Sequence, residues 1–208
     1  MKQPEVLTQL LAERKEENGT CLAPQSKPFQ VLSSQRNLPA ESRQVLAYLQ
    51  KYPIIEDFFK VFNSKRQLYI CQYPAYCITG SSPTLAQIDI MYGPFASAKW
   101  LVPLIADVSL CCGLKEDASE DQLQLTATAI LERYKWLKAG ELMLFFFNFK
   151  AGFYERFYSY FDPQTIIRSM KLFLQERNYV IVAILTKNMR RFCADFRLLS
   201  HFCGDFSP

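Results

Sequence analysis

Apolar residues recur at helical spacing across residues 137–150 of this chain. The positions on that face are Leu142, Met143, Phe146, Phe147 and Phe149. A face this wide and aromatic predicts a largely buried helix, with residues 145–149 in the core. Lys150 would lie near the carbonyls of the last turn, and Gly152 can adopt the left-handed conformation that ends a helix. We therefore expect this helix to end near Ala151.

A second apolar pattern begins at Asp162 and Pro163. An aspartate side chain can accept the free amide hydrogens of a first helical turn, and proline is tolerated at the first helical position. The apolar face that follows consists of Ile166, Ile167, Met170, Phe173 and Leu174. The β-branched run NYVIVAIL, residues 178–185, also suits a strand, but we expect the helix to continue to about Asn188, because neither glycine nor proline interrupts it. Between the two helices lies FYERFYSYF, residues 153–161, a connector with six aromatic residues.

Apolar periodicity predicts further helices before residue 137. We expect them over residues 5–17, 39–52, 54–62, 84–92 and 96–112, and from Ser119 to Tyr134. Ser119 and Gln122 have the spacing of a capping box. Residues 68–73 are instead the best strand candidate, and a proline turn follows them. The predicted fold class is mainly α, a compact multi-helix domain with one small β-hairpin near residues 68–79.

The first part of the chain differs from the rest in composition. Residues 20–39 are rich in proline, serine and glutamine, which is typical of a loop or linker. We therefore expect an N-terminal helix and linker arm, residues 1–38, and a helical domain, residues 39–208. No uncharged apolar run is long enough to span a membrane, and the N-terminus lacks the apolar core of a secretory signal. These features predict a cytoplasmic protein without a membrane partner.

Charge is unevenly distributed along the 208 residues. Residues 1–134 hold 13 Lys or Arg and 14 Asp or Glu, a net charge of −1, whereas residues 135–208 hold 11 and 6, a net charge of +5. A basic C-terminal third can bind phosphates or acidic partners. It can equally be a solvated face that keeps an aromatic-rich domain in solution.

Part of the central pattern resembles a known family. The residues that carry the resemblance are Trp136-Leu137, Glu141 to Phe146, Phe149 to Gly152, Tyr154, Phe157-Tyr158, Asp162-Pro163, Ile166 and Glu176-Arg177. Over residues 136–177 the chain is similar to uncharacterised Bacteroidota proteins found in phages and mobile elements. Glu155 and Ser159 stand where the family pattern has glycines. The resemblance implies a mobile-element context and brings no established activity.

Candidate catalytic and metal-binding residues are few. His201 is the one histidine of the sequence, which contains neither a P-loop nor the glycine motif of dinucleotide-binding proteins. Cys193, His201 and Cys203 have the chemistry of metal ligands but lack the paired spacing of a zinc ribbon, so a structural role is the better interpretation. We therefore expect no enzymatic activity, no metal and no cofactor.

The aromatic and basic segment supports two binding hypotheses. In the first, it binds DNA or RNA, with cations on phosphates and tyrosines stacked on unpaired bases. The residues assigned to that surface are Lys150, Tyr154, Arg156, Tyr158, Arg168 and Lys171. In the alternative, the segment docks on a larger protein complex, for example in replication, as an adaptor or regulator. Both hypotheses describe a non-enzymatic accessory binding protein of a phage or mobile element, and the coincidence of charge and aromatics favours nucleic acid.

Overall fold

The computed structural model describes residues 39–202, with side chains as far as Arg190. The predicted N-terminal arm, residues 1–38, lies outside this part of the chain, so the division at residue 38 stays a prediction. Helices dominate the described residues, and the mainly α fold class is confirmed. No strand is present between residues 39 and 202.

The described residues fall into two units, whose boundary in the sequence lies between Pro53 and Ile54. In the first unit, the described helix is α1, Ala40–Lys51. The helices of the second unit are α2 (Ile55–Val61), α3 (Gln67–Ile70), α4 (Pro74–Thr79), α5 (Leu85–Tyr92), α6 (Ala96–Cys111), α7 (Glu120–Tyr134), α8 (Ala139–Lys150) and α9 (Pro163–Phe202). The helices predicted between residues 39 and 150 are thus present close to their predicted bounds. The last helix continues beyond its expected end near Asn188.

The ends of α7 and α8 have the predicted chemistry. The Gln122 amide donates to the Ser119 hydroxyl at 3.3 Å, and the Ser119 amide donates to the Gln122 side chain at 3.0 Å, which completes the capping box. Helix α8 ends at Lys150, and Gly152 shortly after it has a φ of 80°. Glycine adopts that left-handed conformation without steric cost.

The hairpin predicted near residues 68–79 is wrong. The segment forms the two short helices α3 and α4. The buried residues at the two ends of α3, Gln67 and Cys71, are four positions apart, which is a helical period and not the alternation of a strand. Pro74 occupies the start of α4, where a missing amide hydrogen has no consequence. The proline therefore begins a helix and makes no hairpin turn.

Helix α8 supplies the largest share of the buried aromatic core. Phe145 and Phe146 are fully buried and Phe149 nearly so, which confirms the predicted burial of this run, although Phe147 is half-buried. The Phe145 ring lies 5.6 Å from the Phe173 ring of α9, centroid to centroid. Tilted aromatic pairs at this separation add to the stability gained from burial. The contact joins the two helices that flank the connector.

The start of α8 is fixed by residues that are distant in sequence. Backbone hydrogen bonds of 2.8 and 3.0 Å join residues 137–139 to residues 83–85. The Lys138 ammonium donates to the carbonyls of Ile78 and Gly80 at 3.0 and 3.2 Å. A cation is favoured there because the last carbonyls of α4 carry partial negative charge. The start of α8 is thereby held against the C-terminal end of α4 and the N-terminal end of α5.

Asp162 begins α9 as the sequence predicts. Its carboxylate accepts the backbone amide hydrogens of Gln164 and Thr165 at 2.9 and 3.2 Å. Burial raises the pKa of the Asp162 carboxyl, but hydrogen bonds from Thr165 and Gln164, with the Arg168 charge, outweigh burial. The pKa of Asp162 therefore lies below its ordinary value.

We expect Asp162→Ala to lower the free energy of unfolding at pH 7 by about 1 kcal/mol, because two amide hydrogens of α9 lose their acceptor. Asp162→Asn keeps a hydrogen-bond acceptor and should lose less stability than Asp162→Ala. The pKa of Asp162 is lower in the folded protein than in the unfolded chain, where it is about 4. The ionised aspartate therefore stabilises the fold above that unfolded pKa, and this stabilisation is lost as the pH falls through the pKa of the folded protein. Urea unfolding at pH 7 and at about pH 2.5 measures the difference in the free energy of unfolding between wild type and Asp162→Ala, and this difference should be smaller at the lower pH. An equal difference at both values would contradict this assignment.

Candidate functional site

A buried ion pair joins α8 to α9. Glu141, which has no exposed surface, accepts the Arg177 Nε–H at 2.6 Å and the Lys138 amide at 2.9 Å. The Arg177 guanidinium also lies 5.0 Å from the centre of the Trp136 ring, within range of a cation–π contact. The partner charge and both hydrogen bonds offset the cost of burying the carboxylate. The pair fixes the two helices between which the connector runs.

Tyr154 anchors the first part of the connector, residues 153–161. Its ring stacks on Phe145 with centroids 5.7 Å apart, and its hydroxyl donates to the Glu176 carboxylate at 2.9 Å. Burial raises the pKa of Tyr154, and the hydrogen bond to Glu176 acts in the same direction. The interpretation of Tyr154 as a surface residue is wrong, because its ring completes the aromatic core and its hydroxyl has a partner there.

Two phenylalanines anchor the second part of the connector. Phe157 packs between Phe149 and Phe161, with ring centroids 5.3 and 5.2 Å away. The Lys115 amide donates to the Ser159 carbonyl at 3.2 Å, which ties the backbone of the connector to the segment after α6. The connector is irregular in backbone conformation but held at both ends and in its middle.

Three other aromatic side chains of the connector point into solvent. Phe153 is 71 % exposed, Tyr160 is 59 % exposed, and Tyr158 is fully exposed. We call these three residues the connector aromatics. Arg156 lies among them in sequence, is also exposed, and has no ion pair with another residue of the described part of the chain. The connector thus presents large apolar rings and a cation on a segment whose remaining aromatics face inward.

Arg168 of α9 ties the connector to the helix that follows it. Its guanidinium donates to Glu155 at 2.9 Å and to Asp162 at 3.4 Å. The hydrogen bond to Glu155 is the main reason that the pKa of Arg168 is raised above its usual value. Glu155 is one of the positions where the resembling family pattern has glycine, so this chain has a connector contact that a glycine would not make.

The six residues predicted to bind nucleic acid have different surroundings. Lys150 is paired with Asp107 at 2.5 Å, and the exposed fractions of the two side chains are 17 % and 30 %. Tyr154 is buried, and Arg168 is paired with two carboxylates. Arg156, Tyr158 and Lys171 are exposed and form no ion pair with another described residue, whereas Arg168 is exposed but paired. The structure does not bring the six together as one free basic surface, because three of them are occupied within the fold.

A pair of buried thiols is a feature that the sequence analysis missed. Cys71 and Cys77 are both almost fully buried, and the Cys77 thiol donates to the Ile70 carbonyl at 3.2 Å. A hydrogen bond between the two thiols raises the pKa of Cys71 and lowers that of Cys77. Their spacing in sequence matches no metal or redox motif, so only the packing of α3 against α4 reveals the pair.

In the part of the chain that the structure describes, no group of three or more His, Cys, Asp or Glu side chains could hold a metal ion. The side chains of Cys193, His201 and Cys203 lie outside the described residues. No helix within residues 39–202 has the length and apolar character needed to cross a membrane.

A family model matches residues 119–193. It is described as a family of unknown function, DUF6633. The matched range contains α7, α8, the connector and the first part of α9, including residues 136–177 that carry the resemblance described above. The chain is therefore similar to an uncharacterised family over the candidate site. Neither a curated protein nor a solved structure matches the chain.

We expect Arg177→Ala to lower the free energy of unfolding by about 3 kcal/mol, because the Glu141 carboxylate stays buried without its partner charge. The double variant Glu141→Gln with Arg177→Met removes both charges and keeps an acceptor for the Lys138 amide, so it should lose less than the single variant. Chemical denaturation of the full chain measures both. If the double variant is the less stable, then packing and not charge compensation explains the pair.

Tyr154→Phe should lower the free energy of unfolding by about 1.5 kcal/mol, since a hydrogen bond to a carboxylate is lost while the ring remains in place. Tyr158→Phe is the matched control: the same atom is removed from a fully exposed side chain, so no change is expected. Thermal unfolding of the three proteins side by side gives the comparison. Equal stability of the two variants would argue against a structural role for the Tyr154 hydroxyl.

Proposed function

We propose that this chain is a non-enzymatic adaptor that binds another protein through the connector aromatics. The observation that supports this most strongly is that Phe153, Tyr158 and Tyr160 are exposed on an anchored segment. Large exposed apolar side chains grouped on one segment are uncommon on surfaces that have no partner. Aromatic residues and arginine are also enriched at the centres of protein interfaces, where they contribute most of the binding energy.

The anchoring of the connector favours specific binding. The connector aromatics lie on a backbone already fixed by the core contacts of their neighbours and by the Lys115–Ser159 hydrogen bond. A segment that is ordered before binding loses less conformational entropy when its partner arrives. Rigid rings with a neighbouring arginine therefore suit recognition of a defined site on a partner protein.

The charges of the segment favour protein over nucleic acid. A cation that contacts a phosphate must be free to replace a counterion. Lys150 and Arg168 already pair with carboxylates within the fold, and Tyr154 is buried. The hypothesis of DNA or RNA binding therefore has Arg156, Tyr158 and Lys171 left from its original six residues. The exposed apolar rings match a protein surface better than this reduced set matches a phosphate backbone.

The proposed setting of the adaptor is the cytoplasm of a cell that carries a phage or mobile element. The resemblance over residues 136–177 supports this setting, and small helical accessory proteins for replication or regulation are common in it. A larger complex of that element, such as its replication machinery, is the proposed partner.

A photo-cross-linker tests the proposal directly. We expect p-benzoylphenylalanine in place of Tyr158 to give one discrete protein adduct on irradiation in cells of the natural host. Leu125 of α7 is also exposed, at 61 %, but lies outside the connector, so the same replacement there is the control and should not give that adduct. Adding Tyr160→Ala and Phe153→Ala to the protein that carries the cross-linker at position 158 should reduce the yield of the adduct, because the partner then binds more weakly.

Two results would overturn the proposal. The first is equal labelling of Tyr158 and Leu125, which would mean that no partner recognises the connector aromatics. The second is a nuclease-sensitive adduct, together with salt-dependent binding of labelled DNA or RNA that is lost when Arg156 and Lys171 are changed to alanine. That second result would establish the nucleic-acid hypothesis instead.

A further inference from the structure

Three exposed tyrosines lie on the short helices α3 and α4 and on the turn between them. Tyr69, Tyr73 and Tyr76 are 68 %, 69 % and 68 % exposed. None of the three forms a side-chain hydrogen bond or a ring contact with another described residue. We call these residues the α3–α4 tyrosines. Large aromatic side chains grouped on one short segment are uncommon on surfaces that have no partner.

The segment that carries these tyrosines is anchored from beneath. Its inward side chains are all buried, and both of its helices pack on α8. Those side chains are Gln67, Cys71, Cys77 and Ile78. The Cys77 thiol donates to the Ile70 carbonyl at 3.2 Å, which joins α4 to the end of α3. Because the backbone is held in place before a ligand arrives, less conformational entropy is lost when the exposed rings bind.

Two cations adjoin the α3–α4 tyrosines. Lys65 and Arg66 immediately precede α3, are exposed, and form no ion pair with another described residue. Residues 58–88 are also the longest part of the chain without an aspartate or glutamate. The one acid of α8 beneath them is Glu141, which is paired with Arg177. The segment is therefore basic and contains no carboxylate that would repel a polyanion.

We propose that the α3–α4 tyrosines bind single-stranded nucleic acid. Unpaired bases stack on the exposed rings, and Lys65 and Arg66 contact the phosphates. A duplex keeps its bases stacked on one another, so the rings select a single strand. The connector differs in charge, because it contains Glu155 and is followed by Asp162. Cations without neighbouring acids suit a polyanion better than they suit the mixed charges of a protein surface.

This inference does not depend on the proposed function. The α3–α4 tyrosines and the connector aromatics share no residue, so a nucleic acid can occupy the first set while a protein occupies the second. The cross-linker at position 158 reports on the connector, whereas binding that depends on residues 65–76 reports on α3 and α4. Failure of one proposal therefore shows in a different experiment from failure of the other.

Fluorescence anisotropy of the full chain with labelled oligonucleotides tests the tyrosines. We expect binding of an oligo-dT of about 15 nucleotides and much weaker binding of a hairpin duplex. Combining Tyr69→Ala, Tyr73→Ala and Tyr76→Ala removes the stacking rings and should raise the Kd at least about tenfold. The corresponding triple change to phenylalanine keeps the rings and should leave the Kd within about twofold of the wild type. Tyr158→Ala with Tyr160→Ala is the matched control and should bind normally. Circular dichroism should show unchanged helix content throughout.

A salt series tests the cations. Lys65→Ala with Arg66→Ala should weaken binding of oligo-dT. It should also make the plot of log Kd against log salt concentration shallower by about 1.4, since each cation on a single strand contributes about 0.7. Arg156→Ala with Lys171→Ala is the matched control, because these two side chains are also exposed and form no ion pair with a described residue. This control should keep the wild-type slope.

Nitration of the full chain tests whether the tyrosines are open to a ligand. After treatment with tetranitromethane, mass spectrometry should show Tyr69, Tyr73 and Tyr76 modified at rates near that of the fully exposed Tyr158. The buried Tyr154 should be protected. Added oligo-dT should then protect the α3–α4 tyrosines and leave Tyr158 reactive. If they are already protected without oligo-dT, another part of the chain or a second copy covers them, and the proposal is wrong.

Three binding results would also overturn the proposal. The first is no binding of oligo-dT at about 50 mM salt with protein up to about 100 μM, which would assign the rings to a protein partner. The second is equal affinity for the duplex, since stacking on the rings requires unpaired bases. The third is loss of binding in the connector control but not in Lys65→Ala with Arg66→Ala, which would place the nucleic acid at the connector.

Discussion

The buried ion pair between Glu141 and Arg177 is the interaction on which the rest of the site depends. It joins the first turn of α8 to the middle of α9, and Trp136 and the Lys138 amide complete the surroundings of the two charges. Replacing it with apolar side chains would keep the helices together but would no longer require one register between them. Because the carboxylate has no exposed surface, any sliding of α9 along α8 would leave a buried charge without its partner. The pair therefore sets the span that the connector has to bridge.

The connector follows from that fixed span. Its inward rings are set by contacts with Phe145 and Phe149 of α8 and by the Glu176 carboxylate of α9. The other three rings of the segment, the connector aromatics, remain in solvent. A loop without anchors would hide the same rings by collapsing on the surface, because nothing would hold them out.

The sequence predicted the helices well and the surface less well. Helix positions depend on local spacing and on capping chemistry, so Ser119, Asp162 and Gly152 were sufficient to place three boundaries. The failed hairpin arose because Pro74 is compatible with both a turn and a first helical position, and only the burial of Gln67 and Cys71 distinguishes them. A local sequence pattern predicts secondary structure well when backbone geometry excludes one of the alternatives. At Pro74, backbone geometry allows both a turn and the first position of a helix.

The candidate site was harder to predict because contacts with residues distant in sequence decide which of its side chains are buried or paired. Lys150 pairs with Asp107 of α6, and the Tyr154 hydroxyl donates to the Glu176 carboxylate of α9. No local sequence pattern predicts either contact. Arg156 and Arg168 look alike in sequence, yet only the second meets carboxylates within the described residues. Counting charges in a segment therefore overestimates the cations available to a ligand.

The unbroken course of α9 has a consequence for how this chain can change over evolutionary time. Its first half is constrained by the core, whereas its second half obtains helical structure from the turns before it, since extending a formed helix is far easier than starting one. For the fold, substitutions after Tyr179 therefore need only preserve helix propensity. Core packing and an exposed surface occupy successive parts of a single helix, so a lineage can alter that surface without revising the fold that the first part maintains.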